Sequence, residues 1–336
     1  MTANRDLACA QVAAQELLAL DPQGPVGVVD EGTGQVADAL SSLGCAPVRW
    51  HTRAWDGVYA MAEPAEGVWA GALVRLPRER ARLEVVLDLC AGRLPQGAPL
   101  WVVGANDEGI KSTARRLTPL FEAVETVAAR RHCRLLQARR SSAPARGSLV
   151  QWQTQRSLAL PGAAEPVDVV TVPGVFAKGQ LDPATALLLE AAADLSFEGP
   201  CLDFACGAGL IALGVDRRHP GLSWTLTDVD AWSVHCARQN LPTARVVLGH
   251  GWAPVPHDTQ YGAIFSNPPL HRGVAADRTT LDRLIAMAPG RMTPSGQLII
   301  VSQRTAGVGR RLRARFSWAR LLREDGWFQV WGARDG

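Results

Sequence analysis

Short apolar segments alternate with helical patterns along most of this chain of 336 residues, and no other feature restricts its fold as much. One apolar segment ends at 202–204 and is followed by a helical pattern over 210–218. The next such pair lies at 224–227 and 230–240. Strands that alternate with helices in this way form a parallel sheet with helices packed on both faces. The sequence therefore predicts an α/β fold.

The same alternation predicts two domains in tandem. In the second half we expect a seven-stranded doubly wound sheet, with further strands at 245–248, 263–266, 297–302 and 327–331. In the first half we expect strands at 26–29, 70–76 and 99–103 and helices at 34–43, 78–91 and 108–118. A stretch rich in Ser, Pro and Gly at 141–147 marks the best boundary. The predicted domains are therefore 1–150 and 151–336.

Composition excludes several classes of protein. Hydrophobic residues make up 47% of the chain, yet no stretch approaches the roughly 20 apolar residues that span a bilayer. Residues 1–6 lack the basic and apolar pattern of a secretory signal, and the seven cysteines are scattered singly without zinc-ligand spacing. We therefore expect a cytoplasmic protein with reduced thiols, no bound metal and no membrane partner.

Arginine is concentrated in two stretches, although the net charge is only +3. Six arginines lie within 130–146 and six lie within 310–323. Such clusters suit contacts with phosphate groups, which are sensitive to salt. An ordinary solvated surface is the alternative for each stretch.

A glycine turn and two acidic residues predict a nucleotide-like cofactor site in the second domain. The stretch Asp-Phe-Ala-Cys-Gly-Ala-Gly, which starts at Asp203, follows a predicted strand and places Gly207 and Gly209 in the turn before a helix. Absent side chains there let a ligand approach the backbone. Asp228 ends the next strand, where a carboxylate can accept both hydroxyls of a ribose. Val229 would then lie against an adenine, and Asp203 would lie near an ammonium group.

The strand expected at 263–266 runs directly into Asn267, Pro268 and Pro269. An amino group conjugated to a base ring is a poor nucleophile, because its lone pair is delocalised into the ring. The side-chain oxygen of Asn267 and the carbonyl of Pro268 can hold both N–H groups and aim the lone pair at a methyl donor. The prolines restrict the backbone, so these acceptors are preorganised. With the glycine turn upstream, this motif predicts an S-adenosylmethionine-dependent N-methyltransferase, in which Asn267 also borders the cofactor.

A base taken from a folded RNA normally stacks on a flat side chain. Leu270 occupies the position directly after the prolines where that group is expected, and it has no π-system. His271 and Trp252 are the other candidates to contact the base, and ordinary packing or surface roles are the alternative for both. We therefore expect Pro269, Leu270 and His271 to line the substrate side of the site.

Several motifs resemble those of a known family, the RsmC/RlmG group of ribosomal RNA guanine-N2 methyltransferases. Residues 267–273 (Asn-Pro-Pro-Leu-His-Arg-Gly) are similar to its Asn-Pro-Pro-Phe-His-x-Gly motif. Residues 173–177 (Pro-Gly-Val-Phe-Ala), with Leu-Asp at 181–182, resemble its Pro-Gly-Val-Phe-Ser…Leu-Asp segment. The stretches 103–112 and 328–331 are similar to its N-terminal-domain motif and its closing strand. The resemblance covers most of the chain.

The resemblance implies two tandem class I (Rossmann-like) methyltransferase domains with different roles. The second domain, 151–336, is then catalytic and methylates the N2 of a guanine in small- or large-subunit ribosomal RNA. The local chemistry does not separate these two substrates, and we favour the small-subunit RNA. The first domain, 1–150, then serves structure and RNA binding. It is expected to be degenerate, because the strand that should supply a ribose-binding acid ends in Arg49, Trp50 and His51 instead. The expected partner is ribosomal RNA or the small subunit; the oligomeric state is open, with a monomer favoured.

Three residues depart from the family's pattern. Ala205 replaces the first glycine of the cofactor turn, Leu270 replaces an aromatic residue, and Gly251 stands where an Asp or Asn typically reaches adenine. Ala205 and Gly251 are still counted among the cofactor-binding candidates. The departures leave open a weak or inactive methyltransferase-fold protein that binds RNA or assists ribosome assembly. A further alternative is methylation of adenine N6 or of a protein glutamine, because the same acceptors suit any planar NH2 group.

Overall fold

The computed structural model describes residues 2–20, 22–268 and 275–335. The chain forms two compact units: Met1–Arg53 with Ala60–Gln153, and Ala54–Tyr59 with Thr154–Gly336. A short segment of the first half, Ala54–Tyr59, thus belongs to the second unit. Each unit contains one large mixed sheet with helices, so the predicted pair of tandem α/β domains is confirmed.

The first unit is built on a six-stranded sheet in the order β2-β1-β3-β4-β6-β5. Its elements are α1 (Thr2–Leu20), β1 (Val26–Val29), α2 (Gln35–Ser42), β2 (Pro47–Trp50), β3 (Gly71–Arg75), α3 (Arg80–Ala91), β4 (Pro99–Ala105), α4 (Ile110–Leu117), β5 (Phe121–Arg130) and β6 (Cys133–Arg140). Strands β1 to β4 pair in parallel, whereas β6 pairs antiparallel with both β4 and β5.

The second unit is built on a seven-stranded sheet in the order β11-β10-β9-β12-β13-β15-β14, beside a separate β7–β8 hairpin. Its elements are β7 (Thr154–Leu158), β8 (Val167–Thr171), α5 (Pro183–Ala192), β9 (Cys201–Phe204), α6 (Leu210–Arg218), β10 (Trp224–Asp228), α7 (Ala231–Asn240), β11 (Arg245–Leu248), β12 (Tyr261–Ser266), α8 (Ala275–Met287), β13 (Met292–Gln303), α9 (Val308–Arg315), β14 (Trp318–Glu324) and β15 (Phe328–Arg334). The predicted seven-stranded sheet is confirmed.

The two sheets share one strand order. If β11 is left out, the second sheet reads β10-β9-β12-β13-β15-β14, which matches the six strands of the first sheet one for one. In both sheets the last two strands are antiparallel. In its described residues, the first unit is therefore a copy of the same topology without the outermost parallel strand.

Side chains of the second sheet alternate between two cores, as a doubly wound sheet requires. Cys201, Phe265 and Ile299 point into a core that is closed by α5, α6 and α7. Leu202 and Ile300 point into the opposite core, which is closed by α8 and α9. Helices on both faces leave the strand ends as the part of the sheet that can receive a ligand.

The turn after β1 in the first unit is filled by its own side chains. The carboxylate of Asp30 accepts hydrogen bonds from the backbone N–H of Thr52, at 2.7 Å, and from its hydroxyl, at 2.9 Å. Glu31 similarly accepts from the backbone N–H of Thr33 at 2.7 Å. The acidic side chains of this turn in the first unit are therefore engaged in hydrogen bonds within that unit.

Candidate active site

The topology of the second sheet places the predicted site residues together at the carboxyl ends of its parallel strands, which are called the carboxyl edge below. Strand β9 lies at the middle of the parallel part, with β10 on one side and β12 on the other. After β9 the chain first adds β10 and β11 on one side and then β12 and β13 on the other side. The carboxyl end of β9 is therefore a topological switch point, where ligands bind in sheets of this kind. The glycine turn follows β9, Asp228 ends β10 and Asn267 follows β12.

The glycine turn uses left-handed backbone at three positions. Ala205 has φ 60°, Gly207 has φ 55° and Gly209 has φ 81°. A Cβ at Gly209 would lie 3.0 Å from Leu226, so this glycine lets α6 pack against β10. Within the described part of the chain, a Cβ at Gly207 would meet only Phe176, at 4.0 Å, which leaves an open approach to its backbone. The left-handed φ at Ala205 explains why glycine suits that position, and a non-glycine residue there costs roughly 1–2 kcal/mol.

Asp228 is held by two backbone amides at the end of β10. Its Oδ2 accepts a hydrogen bond from the N–H of Gly207 at 2.8 Å, and its Oδ1 accepts from the N–H of Asp230 at 2.9 Å. An ionised carboxylate has about four acceptor sites and can accept hydrogen bonds through both oxygens, which is the geometry that a pair of ligand hydroxyls requires. Asp228 therefore links the glycine turn to the strand end and is suited to bind a diol.

Asp203 lies beneath the turn and not at its surface. Its side chain is 0% exposed, and Oδ2 accepts from the N–H of Ala212 at 3.2 Å. Burial raises the pKa of Asp203 to about 7; the amide of Ala212 opposes this shift and the negative charge of Asp228 adds to it. The side chain of Asp203 is therefore enclosed between the end of β9 and the start of α6.

We expect the Asp203→Asn variant to remove a pH dependence of stability. The folded pKa is raised from 3.8 to about 7, so folding takes up a proton between these values and wild-type stability falls as the pH rises through this window. Relative to the variant, the wild type should lose roughly 2–3 kcal/mol of unfolding free energy between pH 5 and pH 8. Urea unfolding followed by tryptophan fluorescence at both pH values measures this. A wild-type-to-variant difference that stays constant with pH would contradict the raised pKa.

Asn267 has one fixed orientation of its side-chain amide. Its Nδ2 donates to Oδ2 of Asp182 at 3.0 Å and to Oγ1 of Thr185 at 3.1 Å. Asp182 is also the N-cap of α5, where it accepts from the N–H of Thr185 at 3.1 Å. With Nδ2 used in this way, the amide presents Oδ1 as its acceptor. Pro268, the next residue, is buried.

Two buried polar side chains that were not predicted support the strand ends. The hydroxyl of Ser266 is 0% exposed and donates to the carbonyl of Phe204 at 2.7 Å, which ties β12 to β9. Asn240 donates to the carbonyl of Ala208 at 2.9 Å and so supports the glycine turn from α7. Both residues keep backbone carbonyls near the site satisfied, and neither has a sequence motif that would have identified it.

The segment Ala54–Tyr59 lies beside the carboxyl end of β10, and the sequence did not predict this position. The N–H of Ala54 donates to the carbonyl of Val229 at 2.7 Å, and Trp55 and Val58 form a tight turn by mutual backbone hydrogen bonds. Asp56 at the tip of this turn pairs with His250 at 2.7 Å. The stretch Trp-Asp-Gly-Val at 55–58 is a turn signature, so the turn was recognisable but its partner was not.

A cavity of about 270 Å³ lies beside this turn. Its lining consists of Asp56, Phe204, His250, Gly251, Thr279, Thr280 and Arg283. Gly251 has φ 58°, and a Cβ there would meet no atom of the described residues within 4 Å. The predicted cofactor residue Gly251 therefore borders open space and supplies no polar side chain.

The predicted substrate residues Pro269, Leu270 and His271 lie outside the described residues. Trp252, the other candidate for stacking on a base, is only 5% exposed. It packs against Phe204 with ring centroids 5.1 Å apart, and its indole N–H donates to the carbonyl of Arg283 at 3.3 Å. Of the two roles left open for Trp252, the structure shows the packing role, because the ring belongs to the core.

Comparison with known proteins identifies the family. A family model described as "Methyltransferase small domain" matches residues 166–332, and "Methyltransferase small domain N-terminal" matches 51–155. Ribosomal RNA small subunit methyltransferase C of Stutzerimonas stutzeri (strain A1501) is 38% identical over 243 residues, which is 71% of each chain. The chain belongs to this family. The resemblance inferred from the motifs is thereby confirmed.

Other relatives agree with this family. The protein of the same description from Pseudomonas aeruginosa (strain LESB58) is 34% identical over 272 residues, which is 80% of each chain. Among solved structures, the T. thermophilus 16S rRNA N2 methyltransferase (RsmC), in complex with AdoMet and guanosine, superposes with a TM-score of 0.82. That match covers 98% of this chain and 92% of the other at 21% identity, so it establishes the shared fold.

The arginines of 130–146 mostly make internal bonds. Arg140 is buried and donates to four backbone carbonyls, those of Ala91, Leu120, Ser141 and Ala143. Arg130 pairs with Glu16 at 2.6 Å. In the stretch 310–323, Arg311 pairs with Asp282 at 3.1 Å and Arg323 with Glu190 at 2.9 Å. Several arginines of both stretches are therefore paired with groups of their own unit.

The described residues contain neither a membrane-crossing helix nor a cluster of metal-ligating side chains. Within 2–20, 22–268 and 275–335, no helix is long and apolar enough to cross a membrane. The same part of the chain contains no group of three or more His, Cys, Asp or Glu side chains that could hold a metal ion. All seven cysteines are buried and unbridged.

Proposed function

We propose that this protein transfers a methyl group from S-adenosylmethionine to the exocyclic N2 of a guanine in 16S ribosomal RNA. The observation that carries the proposal is the fixed amide of Asn267, whose Oδ1 is presented at the switch point of the second sheet. Membership of the ribosomal RNA small subunit methyltransferase C family supports the substrate. The T. thermophilus protein of the same fold binds AdoMet and guanosine, which supports both ligands.

The residues at the strand ends fit this cofactor. Gly207 leaves its backbone open to a ligand, and Asp228 presents a carboxylate for the ribose hydroxyls. Val229 follows Asp228 and is suited to lie against the adenine. The second oxygen of Asp203, Oδ1, is buried without a hydrogen-bond partner among the described residues, so its charge favours a positively charged ligand group nearby. When bound, S-adenosylmethionine supplies the methyl group as an electrophile on sulfonium.

Asn267 and Pro268 orient the amino group that is methylated. The Oδ1 of Asn267 and the carbonyl of Pro268 each accept one N–H of the guanine N2 group, which directs the nitrogen lone pair toward the methyl. An amide oxygen takes up no proton at neutral pH, so Asn267 aligns the nucleophile and is not a general base. Asp182 and Thr185 act through Asn267: they hold its Nδ2 and so keep Oδ1 toward the substrate.

We expect Asp182→Ser to lower kcat about 10- to 100-fold with little change in cofactor affinity. Serine is a good N-cap, so α5 keeps its cap, but its hydroxyl is too short to hold the amide of Asn267. Thr185→Val tests the second contact without changing side-chain volume. Single-turnover methyl transfer and S-adenosylhomocysteine titration separate the two effects. A kcat of Asp182→Ser equal to that of wild type would contradict the positioning role.

The two units have different roles in this proposal. The second unit carries the reaction, and the first unit supports the structure and contacts RNA. Internal bonds such as Asp30–Thr52 fill the turn of the first unit, which supports its loss of cofactor binding. We place the enzyme in the cytoplasm, where ribosomal RNA is available, and we favour a monomer. The predicted boundary between 1–150 and 151–336 is part of this proposal.

The substrate is tested with ribosomal subunits from cells that lack this gene. Wild-type protein and labelled S-adenosylmethionine are incubated separately with small subunits, large subunits and the free RNA of each. Label in small-subunit RNA alone, recovered as N2-methylguanosine, is the expected result. Label in large-subunit RNA, or as N6-methyladenosine, would contradict the proposed substrate.

A further inference from the structure

We propose that Asp56 recognises the adenine of the cofactor by accepting a hydrogen bond from its exocyclic amino group. The cavity beside Gly251 is then the adenine site. This inference rests on the proposed function, because it requires S-adenosylmethionine to lie along the carboxyl edge of the second sheet.

The position of Asp56 follows from the anchoring of its turn. The backbone bond from Ala54 to Val229 fixes the turn next to the residue that follows Asp228. Asp56 and Gly57 occupy the tip between the paired residues Trp55 and Val58, and Gly57 has the left-handed φ of 77° that a tight turn needs. Asp56 is thereby held beside the ribose-binding end of β10.

The cavity is placed to receive the part of the cofactor that is far from the methyl group. Among the described residues it is lined by the turn at Asp56, the end of β9, the loop after β11 and helix α8, and neither Asn267 nor Asp182 belongs to that lining. Asp228, on the strand between β9 and β11, would hold the ribose at the middle of the edge. Its volume of about 270 Å³ is close to the lower limit of roughly 300–1,000 Å³ for small-molecule sites, which suits one base.

The chemistry of Asp56 matches adenine. The hydrogen bond from His250 lowers the pKa of Asp56, and the charge of His250 acts in the same direction, so the carboxylate is ionised and only accepts. With one oxygen on Nδ1 of His250, it can still accept from an amino group. A base with a carbonyl at that position would place oxygen against the carboxylate and be repelled. Asp56 therefore favours adenine over guanine or hypoxanthine.

This assignment accounts for the departure at Gly251. Gly251 stands where the family's pattern has an acidic or amide residue. His250 points to Asp56 instead, at 2.7 Å. The acceptor thus comes from a turn nearly 200 residues earlier in the sequence, and the small Gly251 leaves room for the base.

Binding of S-adenosylhomocysteine and of its 6-deamino analogue, in which hydrogen replaces the adenine amino group, tests the proposal by calorimetry. Wild type should bind the adenine form about 10- to 100-fold more tightly, as expected for a hydrogen bond to a charged acceptor. Asp56→Ala should lose most of this preference by weakening only the adenine form. Asp258→Ala removes an exposed carboxylate elsewhere on the same unit and should behave as wild type.

The possible outcomes are distinguishable. An Asp56→Ala variant that keeps the full preference, with a thermal midpoint equal to that of Asp258→Ala, overturns the role of Asp56 and leaves the proposed function intact. A wild type without preference overturns it as well. A wild type that binds neither ligand contradicts the proposed function itself. Weakened guanosine binding in Asp56→Ala, with cofactor binding unchanged, would assign the cavity to the target base.

Discussion

Replacing Asn267 with alanine is expected to lower kcat/KM for methyl transfer by about 10²- to 10³-fold or more. The variant loses the acceptor that holds the guanine amino group, and such preorganised polar contacts are worth this much in other enzymes. Its loss leaves Asp228 and the glycine turn untouched, so S-adenosylhomocysteine affinity should stay within about threefold of wild type. Single-turnover transfer to small-subunit RNA and calorimetry measure the two quantities.

A matched control separates the loss of the amide from general damage. Gln239 carries an exposed side-chain amide on α7, where it donates to the carbonyl of His235 in the same helix at 3.2 Å. Gln239→Ala should therefore keep full activity. If Asn267→Ala transfers methyl groups as fast as Gln239→Ala, the orientation of the amino group by Asn267 is refuted.

Replacing Asp228 with alanine is expected to weaken cofactor binding at least about 100-fold. Two charge-assisted bonds to the ribose would be lost, each worth roughly 1.5–3 kcal/mol. The amides of Gly207 and Asp230 would also lose their acceptor, which loosens the glycine turn. Methyl transfer at low cofactor concentration should fall with the affinity, and part of it should return when the cofactor concentration is raised.

The control for Asp228 is Asp194→Ala, which removes an exposed carboxylate of the same unit. It should bind S-adenosylhomocysteine as tightly as wild type. Asp228→Asn keeps one side-chain acceptor and should fall between wild type and Asp228→Ala. Equal affinity of Asp228→Ala and Asp194→Ala for the cofactor would show that the ribose is held elsewhere.

Much of the second sheet was predictable because its strands are buried on both faces. Segments such as Tyr261–Ser266 read as apolar runs that end at glycine, proline or an acid. The hairpin of β5 and β6 was missed, because Phe121–Arg130 contains charged residues and exposes most of its positions, so it does not read as an apolar run. Strand β14, Trp318–Glu324, was missed because three of its seven residues are charged and none of its positions is fully buried. The arginines that suggested phosphate binding partly belong to these edge strands.

Among the site residues, those on strand ends were predictable and those that depend on tertiary contacts were not. The order of the motifs placed Asp228 and Asn267 on one edge, since parallel strands end together. Asp182 was visible only as part of a family motif, and its bond to Asn267 required the fold. Asp56 has no local signal that links it to His250, because the pair is separated by 194 residues.

Nucleoside analysis of small-subunit RNA after reaction with labelled S-adenosylmethionine tests the proposed chemistry most directly. The RNA comes from cells that lack this gene, and it is treated with wild type or with Asn267→Ala in parallel. We expect labelled N2-methylguanosine with wild type and almost none with the variant, although both bind S-adenosylhomocysteine. Cofactor binding by wild type without any labelled N2-methylguanosine would contradict the enzyme and favour an RNA-binding protein that has lost catalysis.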